Sequence, residues 1–195
     1  MTSRVRVSIL ALAFAVFVAV PTIATAQTEV GVKAGVNLAN LSFEGDDEDD
    51  VKSLTGLTAG LYLAKNLQNN LGLRVEGLFS QKGAKEGDDF KFKMVDIDFP
   101  VLFVFSPTSS SDTTFNFFAG PQVSLNTSAT IEFDGDSEDA DNVKGSNFAA
   151  VVGVGLKKGK ISADVRYVLG LSSIADEGDS VKHKVLSVMV GWQLK

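Results

Sequence analysis

In 195 residues the sequence has no cysteine, one histidine, two tyrosines, one tryptophan and four prolines. Without cysteine there can be no disulfides and no thiolate metal centre, so stability has to come from backbone pairing. A positive surplus is also missing. Eighteen Lys and Arg against 24 Asp and Glu give a formal charge of −6, which argues against nucleic acid as a partner. Long apolar runs are scarce too. The longest, residues 9–20, is 12 residues and stops at Pro21, short of the ~20 that a spanning helix needs. Arg4 and Arg6 precede it and Ala24-Thr25-Ala26 follows, the arrangement of a secretory signal peptide cleaved after Ala26. Residues 1–26 are therefore expected to be a leader and residues 27–195 a single exported domain. Loss of the leader takes away two arginines and leaves 16 − 24 = −8. Any membrane insertion of the remainder has to be by strands, which window-averaged hydropathy misses.

What the chain does have is alternation. In residues 160–171, Ile161, Ala163, Val165, Tyr167 and Leu169 share one face, and Ser162, Asp164, Arg166, Val168 and Gly170 share the other. The charges keep to one side. Seven further segments repeat the pattern. Residues 29–43 set Val30, Val32, Val36 and Leu38 against Gly31, Lys33, Gly35 and Asn37, and residues 71–82 set Leu71, Leu73, Val75 and Phe79 against Arg74, Glu76, Ser80 and Lys82. In residues 90–105, Ile97, Phe99, Val101, Phe103 and Phe105 oppose Asp96, Asp98 and Pro100. The first half of that segment would turn Lys91 and Lys93 toward the apolar side, which predicts a bulge or a part standing above a bilayer. Pro100 removes a ladder donor and predicts a local irregularity. The remaining strands are expected around residues 57–63, 114–126, 148–157 and 184–194.

Eight strands result, and their connections alternate in character. The turns at residues 65–70, 106–113 and 157–160 are brief and polar. Residues 44–50, 83–89, 127–147 and 172–183 are acidic and hold 18 of the 24 acids, six of them in Glu44-Gly45-Asp46-Asp47-Glu48-Asp49-Asp50; such mutual repulsion predicts solvated loops. The predicted fold class is all-β: an eight-stranded antiparallel up-and-down transmembrane β-barrel, apolar face to lipid and charges to the lumen, with both termini periplasmic and the acidic loops outside. Closure removes the exposed strand edges.

The chain also resembles the small porin-like outer-membrane β-barrel domain proteins of two-membrane bacterial envelopes, over nearly all of its length after residue 26. The likeness rests on Gly31-Val32-Lys33-Ala34-Gly35-Val36-Asn37-Leu38, on Glu76 with Ser80-Gln81-Lys82-Gly83, on Asp98-Phe99-Pro100-Val101-Leu102 and on Phe118-Ala119-Gly120-Pro121. Gly153-Val154-Gly155-Leu156 and Val165-Arg166-Tyr167-Val168-Leu169-Gly170-Leu171 extend it. The resemblance implies outer-membrane lipid and the barrel-insertion machinery as partners, no cofactor and no enzyme activity. Such barrels finish on an aromatic residue read by that machinery, whereas here Trp192 is followed by Gln193-Leu194-Lys195. Aromatic girdles at the two membrane surfaces would draw on Tyr62, Tyr167, Trp192 and mainly phenylalanine.

Candidate site residues follow from the inward phase. Lys33, Arg74, Lys82 and Arg166 face Glu76, Asp96, Asp98 and Asp164, four charges of each sign in a lumen that eight strands leave just wide enough for side chains. They are expected to form an ion-paired plug holding the barrel shut; the alternative is a gate in which pairs such as Arg74 with Glu76 exchange partners. Asp134, Asp136, Glu138 and Asp139 offer a calcium site on carboxylate chemistry, but their spacing fits no EF-hand. A solvated surface that bridges divalent cations weakly is expected instead. His183, beside Ser180 and Ser187, could suggest a base and nucleophile, yet no third group accompanies them. A basic rim segment balancing Asp176 and Asp179 is the expectation. Two other functions stand against the membrane barrel: a soluble periplasmic lipocalin-like ligand carrier, which would need apolar residues inside, and loop-mediated adhesion or anchoring of an envelope complex.

Overall fold

The computed structural model describes residues 28–43, 51–67, 70–86, 90–107, 113–133, 136–139, 145–172 and 181–195. Nine strands follow one another: β1 (Thr28–Phe43), β2 (Val51–Asn66), β3 (Leu71–Glu86), β4 (Phe90–Phe105), β5 (Thr113–Phe133), β6 (Asp136–Asp139), β7 (Ser146–Lys158), β8 (Ile161–Gly170) and β9 (Val181–Gln193). All pair antiparallel. The sheet runs β4-β3-β2-β1-β9-β8-β7-β5 and closes through β4 with β5, so eight strands form the wall while β6 is a short addition to the far end of β5. Among the described residues no helix is long and apolar enough to cross a membrane.

The pairing can be followed once round the wall: Thr28 to Lys65, Leu73, Phe103, Ala119, Val152, Tyr167, Leu186 and back to Leu38. The path returns ten residues further along β1, the stagger that closing a tilted barrel requires. The turn between β7 and β8 is two residues, Gly159 and Lys160, with Gly159 at φ 56°, a backbone region open to glycine at no steric cost.

Burial is inverted relative to a water-soluble protein. Glu76 and Asp96 are fully buried, while Phe103 is 64% exposed and Leu57 61%. The same inversion holds on β8, where inward Ser162, Asp164, Arg166 and Val168 are buried and outward Val165, Tyr167 and Leu169 are exposed. On β4 the outward apolar series runs from Ile97 to Phe105, roughly 26 Å along the strand and about 20 Å along the normal at a tilt of ~40°. That approaches the ~25 Å apolar band of outer-membrane barrels. Lys93 points outward and is exposed four residues beyond Ile97, roughly 10 Å higher on the same geometry.

Several expectations change. The strands reach further than apolar alternation implied: β3 continues to Glu86, so its connection to β4 shrinks to residues 87–89. In place of one loop over residues 127–147, β5 continues to Phe133 and β6 folds back on it, Phe133 pairing Asp136 and Thr130 pairing Asp139. These extensions stand in water, where neither face has to be apolar. A bulge does occur beside the first half of β4, but on β5: Val95 pairs Ser128 and Asp96 pairs Asn126, leaving Thr127 as the extra residue. Pro100 does not shift the register. Pairing of β3 with β4 skips from Val75–Val101 to Leu78–Asp98 and resumes in step, as expected where a missing N–H removes rungs and nothing more. Residues 1–26 and 44–50, and Asp88, Asp89, Asp134, Asp141, Asp176, Glu177, Asp179 and Ser180, lie outside the described residues.

Inside, an apolar cluster drawn from six strands packs together: Ala39, Leu102, Phe118, Val151, Val168 and Val185. Phe118 needs a glycine opposite, since a Cβ on Gly153 would lie 2.5 Å from its ring and 2.7 Å from the Val165 carbonyl oxygen. Gly153→Val is expected to cost about 1–3 kcal/mol, read as a lower urea midpoint of the refolded protein.

Candidate functional site

The structure places all eight inward charges inside the wall, each nine-tenths buried or more, and sorts them into two clusters along the barrel axis. Toward the end that carries the termini, Glu76 on β3 is the hub. Arg166 on β8 grips it with both guanidinium ends, Nη1 at 2.6 Å from Oε2 and Nη2 at 3.2 Å from Oε1. Lys33 on β1 donates to Oε1 at 3.2 Å, and Nε of Arg74 lies 2.9 Å from the same oxygen. Asp164, two residues before Arg166, receives Lys33 and lies 3.3 Å from Nη2 of both Arg166 and Arg74. Aromatic rings back the cations: the Arg74 guanidinium carbon is 4.4 Å from the Phe118 centroid, and Lys33 Nζ is 5.2 Å from that of Tyr62. Tyr62 is thereby committed to the lumen and leaves the set of girdle residues.

Toward the loop end, Lys82 on β3 holds two carboxylates of β4, Asp98 at 2.7 Å and Asp96 at 3.0 Å. Ser124 donates to Asp98 at 2.5 Å, Gln122 donates to Ser124 at 3.0 Å, and Asn126 donates to Asp96 at 3.0 Å. These β5 groups satisfy carboxylate lone pairs that one lysine cannot reach. Ser187 donates to Asn37 Oδ1 at 2.7 Å, and the hydroxyls of Thr58 and Ser80 are 3.1 Å apart. Between the clusters lies a space of about 10 Å³ bordered by Asn37, Ser80, Lys82, Asp98 and Arg166, about the least that admits one water molecule.

The overall balance of four cations and four carboxylates conceals an asymmetry. The terminus-end cluster has three cations on two carboxylates, and the loop-end cluster one cation on two. The polar side chains of Asn37, Thr58, Gln122, Ser124 and Asn126 had no assigned role at the level of sequence. Their signal was their place on the same inward phase.

His183 is neither in a loop nor on a basic rim. It lies within β9, paired with Leu41, and is 1% exposed on the inward face. Ser187 is four residues further along the same face, roughly 13 Å away along the strand, and its hydroxyl is given to Asn37. The two do not make a base and nucleophile. Asp136, Glu138 and Asp139 fall on β6, and no group of three metal-ligating side chains occurs among the described residues.

A polar lumen inside an apolar exterior, closed by strand pairing, is the architecture of a membrane barrel. The profile of the outer membrane protein β-barrel domain matches residues 25–176. The chain belongs to that family. Among solved structures, Neisserial surface protein A is similar at 16% identity with a TM-score of 0.56, covering 86% of this chain and 99% of that one. Ail, the attachment invasion locus protein of Yersinia pestis, aligns at 16% identity, TM-score 0.46, over 86% and 99%. OprG of Pseudomonas aeruginosa aligns at 12%, TM-score 0.44, over 86% and 94%. At these identities the likeness to Neisserial surface protein A speaks for the fold. No curated protein matches the sequence. The family places this protein in the outer membrane.

Proposed function

We infer that this outer-membrane barrel has a structural role with a closed, narrow porin-like lumen, both termini in the periplasm and the acidic connections outside. The observation that carries the reading is the pair of ion clusters separated by a space of about 10 Å³, which leaves no room between them for a hydrated ion to pass. The lipocalin-like alternative is disfavoured because the interior is charged and the exterior apolar. Insertion machinery that reads the segment around Trp192, and weak divalent-cation bridging by the acidic loops to lipid headgroups, belong to the same proposal.

One observation favours a second reading, a gate. Glu76 is shared by Lys33, Arg74 and Arg166, so the cations have alternative partners within reach. Planar-bilayer recording separates the two. The purified protein, first shown to be folded by a heat-dependent change in electrophoretic mobility, is expected to give no stepwise conductance. Glu76→Gln is expected to behave the same. Stepwise openings in Glu76→Gln alone would replace the closed plug with the gate, and openings in the unsubstituted protein would remove the structural reading.

A further inference from the structure

At the terminus end the lumen widens into an open vestibule of about 280 Å³. Its floor is Lys33, Tyr62 and Arg74, and its walls include Asn70, Asn116 and Ser162. The floor belongs to the cluster with one cation too many. Glu76 Oε1 already has Lys33, Arg166 and Arg74 around it, and the three cations share only two carboxylates. Arg74 carries the shortfall. It is 6% exposed, close to both carboxylates, yet its Nε and Nη2 make no hydrogen bond of good geometry, whereas Arg166 is held by a two-pronged pair. On the rim, Lys157 is spent on Glu29 at 2.6 Å.

An uncompensated charge in a dry interior is costly, and a guanidinium lining an open vestibule matches the oxygens of phosphate or carboxylate. We propose that the vestibule binds a small oxyanion from solution, with Arg74 as its main donor, Lys33 adding charge, and the Asn116 and Ser162 walls supplying polar contacts. The vestibule opens along the barrel axis into water, away from the lipid-facing wall, so a soluble anion reaches it more directly than a lipid headgroup. Binding there is independent of whether the plug opens.

The probe is inorganic phosphate, added to the refolded full chain in a phosphate-free detergent at constant ionic strength. Phosphorus NMR line broadening reads binding, and urea unfolding reads linked stabilisation. Phosphate at ten times its dissociation constant should raise the folding equilibrium constant about tenfold. Arg74→Met leaves Lys33 and Arg166 balanced against Glu76 and Asp164, so it should fold and lose at least tenfold in phosphate affinity. Asn116→Asp keeps an acceptor for the Ser106 hydroxyl, which lies 2.7 Å from Asn116 Oδ1, and sets a carboxylate in the vestibule; it should lose the response as well, which serves if Arg74→Met fails to fold. Equal phosphate responses in the unsubstituted protein and a folded variant would overturn the site. So would the absence of any response in the unsubstituted protein, unless phosphatidylglycerol vesicles restore one that Arg74→Met lacks; that result would assign the same phosphate chemistry to a lipid headgroup.

Discussion

Glu76→Gln is expected to destabilise the barrel by about 3–5 kcal/mol, the range found when one partner of a buried ion pair is removed. The substitution keeps shape and volume, so the loss is electrostatic. Three cations, Lys33, Arg74 and Arg166, would remain around a single carboxylate, Asp164. The bidentate pair from Arg166 disappears with the charge. Urea unfolding in detergent or lipid at unchanged m-value measures it. The cause is separable from packing by a second substitution: Glu76→Gln with Lys33→Met restores the original surplus of one cation and should regain part of the loss, a coupling of about 0.5–3 kcal/mol. A loss below about 1 kcal/mol for Glu76→Gln alone, the size measured for exposed ion pairs, would mean that the cations are solvated and that the lumen is wetter than its burial implies.

The strand faces were legible because lipid enforces them. Wherever a strand crosses the apolar band, a charge on the outward phase is costly, so the outward positions from Ile97 to Phe105 and from Ile161 to Leu169 carry none. Beyond the band that constraint ends, and the signal ends with it. This is why β3 continues through Ala84, Lys85 and Glu86 without an apolar stripe to mark it, while on β5 the alternation of Ala129, Ile131 and Phe133 falls out of phase with Val123 and Leu125 past the bulge at Thr127. His183 sat in a basic, polar stretch that reads as loop, yet the pairing of Leu41 with His183 carries β9 past it and turns it inward. The membership of the lumen could be read from the inward phase of four strands. Its division into two clusters could not, because partners such as Arg166 and Glu76 are 90 residues apart and meet only through the ten-residue stagger of the closed wall. The unequal sharing of charge, and with it the vestibule, depends on that register.

Val165→Arg is the sharpest test of which side of the wall meets lipid. Val165 points outward and is 45% exposed. Its row across the wall is Val154, Val165, Val188, Val36 and Leu57, five apolar residues paired in sequence across β7, β8, β9, β1 and β2. In a barrel standing in water, arginine at such an exposed site would change stability by no more than about 0.5 kcal/mol. At the middle of a bilayer the cost is about 2–4 kcal/mol, falling to about 0–1 near either surface. Leu71→Arg supplies the comparison, since Leu71 is also outward but begins β3 beside the short turn. The expected result, from urea unfolding in phospholipid bilayers, is a large loss for Val165→Arg and a small one for Leu71→Arg. In detergent micelles the difference between them should narrow, because a micelle adapts its thickness to the protein. Equal small losses in bilayers would take the valine row out of the membrane centre, and the exposed apolar exterior would then need a protein partner to cover it.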